Sequence, residues 1–248
     1  MTRDMTNERL RRDWTRLAEH DPLWAVYSIP DKRGGRWDAA EFLATGRAEV
    51  DAAVEWLGRL GLPQRYGTAL DFGCGAGRLS QALARHADRV IGVDISAPML
   101  AAARRLDRTG GRCEFALNEA ADLAAFADGS IDLVYSALVL QHLPRPDIDR
   151  YLGEFLRVLA PGGVAVVSCT ASPLWTVKGM IWRFVPYPLV GLGQRLVLRY
   201  PAPMRMTAVR PGRLAAMVAR HGGRVVDSAA EDDPAAHWRC GRYVLRRA

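Results

Sequence analysis

Lysine is nearly missing from this sequence. Of its 34 lysine and arginine residues only Lys32 and Lys178 are lysine, and the arginines are scattered beside acids, as in RAEVDAAVEWLGRL. A formal charge of +7 makes nucleic acid or an anionic surface a legitimate partner. Cations dispersed in this way, however, read as solvated faces and disfavour a polyanion footprint. Cysteine is sparse as well. Cys74, Cys113, Cys169 and Cys240 are widely spaced and none forms a CxxC pair, so no zinc or redox site starts from them, no metal is expected, and a reduced cytoplasm is the simplest compartment. No uncharged apolar run reaches the roughly 18 residues that would span a bilayer. The amino-terminal MTRDMTNERLRRDW is too polar for a secretory core, and no internal repeat or low-complexity stretch is present. A soluble chain of 248 residues, 49% hydrophobic, can bury the core of one large domain, or of one domain with a cap.

From residue 68 onward, β-branched apolar runs alternate with helical patterns, the signature of parallel strand–helix–strand units. Strands are expected at 68–72, 89–94, 112–117, 131–136 and 164–169, and helices at 77–86, 98–108 and 147–159. A last helix is expected at 210–221, leading into RVVDSAA and HWRCGRYVLRR. The first expected strand ends in DFGCGAG, residues 71–77. Ligands bind beyond the carboxyl ends of the strands in such sheets. There Gly73 permits a tight turn, Gly75 lets a ligand approach the main chain, and Gly77 opens a helix whose free N–H groups favour an anion. A dinucleotide loop would place its third glycine at 78, which is Arg78. The second strand ends in Asp94, spaced as an acid that accepts both hydroxyls of a ribose. Loop and acid together point to a nucleoside.

LDFGCGAG, VIGVDISAPML, SIDLVYSALVLQHLP and LRVLAPGGVAVVS follow one another in an order that resembles the class I S-adenosylmethionine-dependent methyltransferases. The resemblance implies a Rossmann-like, mostly parallel sheet of seven strands with helices on both faces, its last strand antiparallel, and S-adenosylmethionine as cofactor. It implies that Asp71, Gly73, Cys74, Gly75 and Gly77 surround the methionine end of the cofactor. Asp94 would then hold the ribose, Ile95 would lie by the adenine, and Ser136 and Ala137 would lie close by. Family members usually carry an acid after the third strand for the adenine amino group. This chain reads FALNEAADL, so Asn118 or Glu119 could serve, since either offers an acceptor.

Methyl transfer to a hydroxyl needs a base, whereas other acceptors need little beyond positioning. His142, after the fourth strand, is the catalytic candidate, with a structural role beside the cofactor as the alternative. Residues 1–66 are expected to form an amino-terminal helical cap or lid on a methyltransferase domain at 67–248, with a further cap inserted at about 171–209. These two stretches hold six of the seven tryptophans, so Trp24, Tyr27, Trp37, Trp175 and Trp182 become candidate substrate contacts. Core packing or a homodimer interface are the alternatives for the same apolar area, and a membrane role is disfavoured because Lys178, Arg183, Arg195 and Arg199 interrupt 171–209, although an interfacial helix tolerates such charges. The function expected is methylation of oxygen or nitrogen on an apolar or aromatic small molecule. A nucleic-acid methyltransferase and a non-catalytic S-adenosylmethionine-binding protein remain alternatives.

Overall fold

The computed structural model describes residues 3–233 and 237–248, so the first two residues of the expected cap lie outside the described residues. Seven strands form one sheet: β1 Tyr66–Phe72, β2 Ala87–Asp94, β3 Cys113–Leu117, β4 Ile131–Ser136, β5 Leu159–Pro173, β6 Gly223–Asp233 and β7 Trp238–Arg247. Their order is β3-β2-β1-β4-β5-β7-β6. β1 pairs in parallel with both β2 and β4, whereas β7 runs antiparallel to β5 and β6. The strand order reverses at β1 and β4, and that switch point opens a crevice beyond their carboxyl ends. The seven-stranded, mostly parallel sheet is the one expected, antiparallel last strand included.

Successive residues of a strand point to opposite faces, and the buried side chains sort accordingly. Leu70, Val134, Ala165 and Val167 meet Leu152, Phe155 and Leu214 on one face. Ala69, Leu133, Val164 and Val166 meet Val54, Leu57, Leu79 and Leu83 on the other. The helices behind these faces are α3 Ala39–Arg59, α4 Arg78–Leu83, α6 Arg145–Val158 and α9 Pro211–Arg220, with α5 Ala97–Leu106 beside β2 and β3. α4 is shorter than the 77–86 expected, because the chain has turned by His86, whose carbonyl already accepts from the Tyr66 amide at 2.9 Å. β5 is longer than 164–169, because its pairing with β7 continues to Pro173 opposite Trp238.

The amino-terminal region is helical, with α1 Arg3–His20 and α2 Pro22–Val26 preceding α3. Asp38 caps α3 by accepting from the Glu41 amide at 2.9 Å, satisfying a donor that a helix start leaves free. α3 lies so close to α4 that a Cβ on Gly46 would stand 2.3 Å from the Arg78 carbonyl oxygen. A third cluster joins Leu17, Trp24, Trp37 and Phe42 to Met99 of α5 and to Ala202 and Met204. After β5 come α7 Val177–Phe184, capped by Thr176, and α8 Tyr187–Leu196. The chain then returns in extended form, its Thr207 and Val209 amides donating to the Gln141 and Thr170 carbonyls at 2.7 and 2.8 Å. Among the described residues no helix is long and apolar enough to cross a membrane.

Candidate functional site

The glycine loop makes the turn out of β1. Gly73, Gly75 and Gly77 all have positive φ, at +75°, +52° and +80°, which side chains with a Cβ adopt only at a cost. Space is short as well: a Cβ on Gly73 would lie 2.4 Å from Val139, and one on Gly75 2.4 Å from Val26. The Gly73 and Cys74 amides donate to the Val93 carbonyl at 2.8 and 2.9 Å, so the loop is tied to the end of β2. There Asp94 accepts from the Gly75 amide through Oδ2 and from the Ser96 amide through Oδ1, both at 2.9 Å. Burial pushes the Asp94 carboxyl up to about 6, against the lowering effect of those amides.

Behind the loop, Asp71 is fully buried. One of its oxygens accepts from the Ser80 hydroxyl at 2.6 Å, the other has no partner, and burial pushes the carboxyl up to about 7. Arg78, which opens α4, is 1% exposed. Its Nη1 faces Glu49 of α3 at 2.9 Å, its guanidinium lies 5.0 Å from the centre of the Tyr27 ring, and its Nε and Nη2 have no partner. A buried arginine with two unused donor groups is costly unless something accepts from them.

The glycine loop, Asp94 and Arg78 border one cavity. Gly73, Cys74 and Gly75 of the loop line it, with Asp94, Ile95 and Met99 after β2 and Ala137 to Val139 after β4. Leu10 and Trp14 of α1, with Ala25 and Val26 of α2, close it from the amino-terminal region. His142 and Tyr151 border it as well. His142 sits in the short turn after β4, its ring edge-on to Trp14 with centroids 5.0 Å apart. Its Nδ1 lies 2.6 Å from the Arg205 carbonyl. A carbonyl only accepts, so Nδ1 carries the hydrogen and Nε2 is left as an acceptor. Burial lowers the imidazole to about 4, against the raising effect of that hydrogen bond, so the ring is neutral at neutral pH.

Of the residues expected at a cofactor, Gly73, Cys74, Gly75, Asp94, Ile95, Asn118 and Ala137 border the cavity. Asp71, Gly77 and Ser136 stand behind its wall, where Ser136 donates to the Phe72 carbonyl at 3.2 Å. Glu119 is exposed and faces Arg11 at 3.5 Å, so the structure brings Asn118 and not Glu119 to the cavity. Among the described residues none of the five aromatics expected at a substrate borders it. Trp24 and Trp37 are core residues whose indole N–H groups donate to the Ile29 and Tyr27 carbonyls. Tyr27 stacks on Trp37, Trp182 lies against Trp238, and Trp175 is open to solvent beneath Arg183.

Among the described residues none of the expected cap at 171–209 lines the cavity; its contact with the site is the Arg205 carbonyl beside His142. Among the described residues the tryptophan that borders the cavity is Trp14, one of the six outside the alternating pattern. Arg78 occupies the place where a dinucleotide loop has glycine, so a missing glycine was the only signal for it.

A family described as methyltransferase domain matches residues 70–167, the segment from β1 to β5. The 2-methyl-6-phytyl-1,4-hydroquinone methyltransferase of Synechocystis sp. is 35% identical over 156 residues, 62% of this chain and 48% of that protein. The demethylmenaquinone methyltransferase of Thermus thermophilus is 37% identical over 140 residues, 55% of this chain and 59% of that protein. The chain thus spans about half the length of these relatives. The magnesium protoporphyrin IX methyltransferase of Synechocystis, solved with bound S-adenosylhomocysteine, shares the fold with a TM-score of 0.59 at 20% identity, covering 92% of this chain and 98% of that one.

Proposed function

Residues 70–167 match a methyltransferase domain, and we propose that the protein is a class I S-adenosylmethionine-dependent methyltransferase that methylates an oxygen or nitrogen of a small, largely apolar molecule in the cytoplasm. The observation that carries this reading is a single cavity bounded by the glycine loop and Asp94 on one side and by Trp14, Val139, His142 and Leu143 on another. It offers polar groups suited to a nucleoside, and apolar walls from Leu10, Val26, Val139 and Leu143 beside the Asp147–Arg150 pair. A mostly apolar lining with a few polar groups is the mark of a small-molecule site. The relatives named for a phytyl hydroquinone and for demethylmenaquinone support the same class of acceptor.

The donor set fits the cofactor. S-adenosylmethionine, when bound, supplies a methyl group on a positively charged sulfur. Asp94, each oxygen holding one amide, has lone pairs left to accept the two ribose hydroxyls. The unused donors of Arg78 suit the methionine carboxylate, a charge-assisted contact in a dry setting. Asn118 donates through Nδ2 to the Asp122 carbonyl at 3.0 Å, which leaves its Oδ1 to accept from the adenine amino group. Ile95 and Met99 give the base an apolar bed. In this reading α1 and α2 act as the lid, and Leu10, Trp14 and Val26 keep water from the transfer.

His142 fits an orienting role better than that of a base. With its imidazole lowered to about 4, Nε2 holds little proton at neutral pH, but it can accept a hydrogen bond from an acceptor hydroxyl or amine and align it. The test is incubation of the protein and methyl-labelled S-adenosylmethionine with extract of the source cell, followed by fractionation. Label in organic-soluble metabolites is expected. Label confined to RNA or protein overturns the acceptor class, and no label in any fraction overturns methyl transfer itself.

A further inference from the structure

Helices α7 and α8 leave apolar side chains in solvent while their opposite sides are anchored. On the anchored side Trp182 meets Trp238, with ring centroids 5.7 Å apart. Arg183 donates to the Pro173 carbonyl at 2.7 Å, Gln194 pairs with the Met204 backbone, and Arg33 donates to the Leu198 and Arg199 carbonyls. On the open side, Val177, Met180, Ile181 and Phe184 recur at the spacing of one helix face in α7, as do Leu189, Leu192 and Leu196 in α8. Trp175 is 75% exposed, Phe184 66% and Leu196 70%. Scattered apolar residues are ordinary on a surface, but exposed stripes on two successive helices with a tryptophan just before them are not.

Charge separates the candidate partners of this face. Between Glu154 and Asp227 the chain holds no acidic residue, and the segment itself carries Lys178, Arg183, Arg195 and Arg199. One of the chain's two lysines stands here. Among the described residues Lys178, Arg195 and Arg199 have no ion-pair partner. A second copy docked face to face would bring these cations against their own kind, whereas an anionic bilayer offers headgroups to the cations and acyl chains to the stripes. Lone cations hold weakly and so do lone apolar residues; together they supply the two signals that stable surface binding needs.

We propose that α7 and α8 dock this protein onto the surface of an anionic lipid bilayer, their apolar stripes entering the acyl boundary. The inference rests on this surface alone and stands whether or not the methyl-transfer reading holds.

The test is co-sedimentation of the full chain with vesicles of equal parts phosphatidylglycerol and phosphatidylcholine, against vesicles of phosphatidylcholine alone. Binding to the anionic vesicles is expected, weakening with salt, and a blue shift of tryptophan fluorescence should accompany it. Lys178→Glu and Arg195→Glu should each lower affinity by roughly fivefold or more, and Phe184→Ser with Leu196→Ser by at least about tenfold. All four side chains are on the open surface, so circular dichroism and S-adenosylhomocysteine binding should match the parent chain. Absence of binding to anionic vesicles overturns the proposal, as does equal binding to neutral ones or unchanged binding of the Phe184 and Leu196 variant. Sedimentation velocity decides the rival occupant: a dimer abolished by Phe184→Ser would assign the face to a second copy.

Discussion

The Gly75 amide donates to Asp94 Oδ2 at 2.9 Å, so the turn after β1 and the acid that ends β2 form one unit. Asp94→Ala should both remove the hydroxyl acceptor and leave that amide unpaired. We expect about 1–3 kcal/mol of lost affinity for S-adenosylhomocysteine, read by calorimetry. Because burial pushes the Asp94 carboxyl up to about 6, and hydroxyl donors bind the ionised form, affinity should climb as pH rises through about 6 and fade below it. Asp94→Asn should flatten that profile. A parent protein whose affinity does not change between pH 5 and pH 7.5 would remove Asp94 from the ribose site.

Asp71 gives a stability prediction of the opposite sense. Its folded value of about 7 lies above the roughly 3.9 of an unfolded chain, so the native state holds the proton more tightly. The stability this gives is complete below about pH 4 and is lost as pH rises through about 7. Asp71→Asn, which keeps an acceptor for Ser80, should gain in melting temperature relative to the parent as pH is raised from 5 to 8. A constant difference across that range would contradict a protonated, buried Asp71.

Arg78 can be separated into its two roles. Arg78→Lys keeps a charge opposite Glu49 but loses the planar guanidinium that stands over Tyr27 and its fan of donors. We expect affinity for S-adenosylhomocysteine to fall about tenfold to a hundredfold, as for a lost charge-assisted hydrogen bond. Affinity for its decarboxylated analogue should hardly change. Equal losses for both ligands would make Arg78 a structural residue.

For His142 the informative pair is Ala and Gln. His142→Ala should lower turnover by roughly 100-fold while S-adenosylhomocysteine still binds, and His142→Gln, which retains an acceptor, should recover part of it. With the imidazole lowered to about 4, turnover of the parent should show no inflection from this residue between pH 6 and pH 8. An inflection near 6.5 that vanishes in both variants would restore the base.

Much of this site was legible because its parts are local. Positive φ at three alternating positions demands glycine, and the acid at the end of the next strand lies at a separation set by one helical crossover, so both leave a mark in a linear reading. His142 is visible as a candidate, but its pairing with Trp14 leaves no mark. Their ring contact spans 128 positions of chain and exists only once α1 has crossed the crevice. Arg78 was hidden differently, since it showed as a departure from a glycine pattern while its meaning lay in Glu49 and Tyr27 far upstream. The aromatics of α7 and α8 were visible as apolar area, but composition does not say which side of a helix finds a partner. Glu119 against Asn118 was undecidable for the same reason: neighbours in sequence at a strand end point in different directions.

The contact between α3 and α4 bears on how this protein can be rebuilt. Gly46 admits the Arg78 backbone, and Glu49, one turn further along α3, answers the Arg78 side chain. A chimera that exchanged the first 66 residues for those of a relative, in order to change which acceptor is taken, would have to bring a residue without a side chain at 46 and a carboxylate at 49. Otherwise it would strand a buried cation at the mouth of the glycine loop. The seam for recombination therefore lies before α3, near residue 38, where the transplanted piece would carry Trp14 and Val26 and leave Gly46 and Glu49 in place, provided it also brings an aromatic ring at 27 for the Arg78 guanidinium.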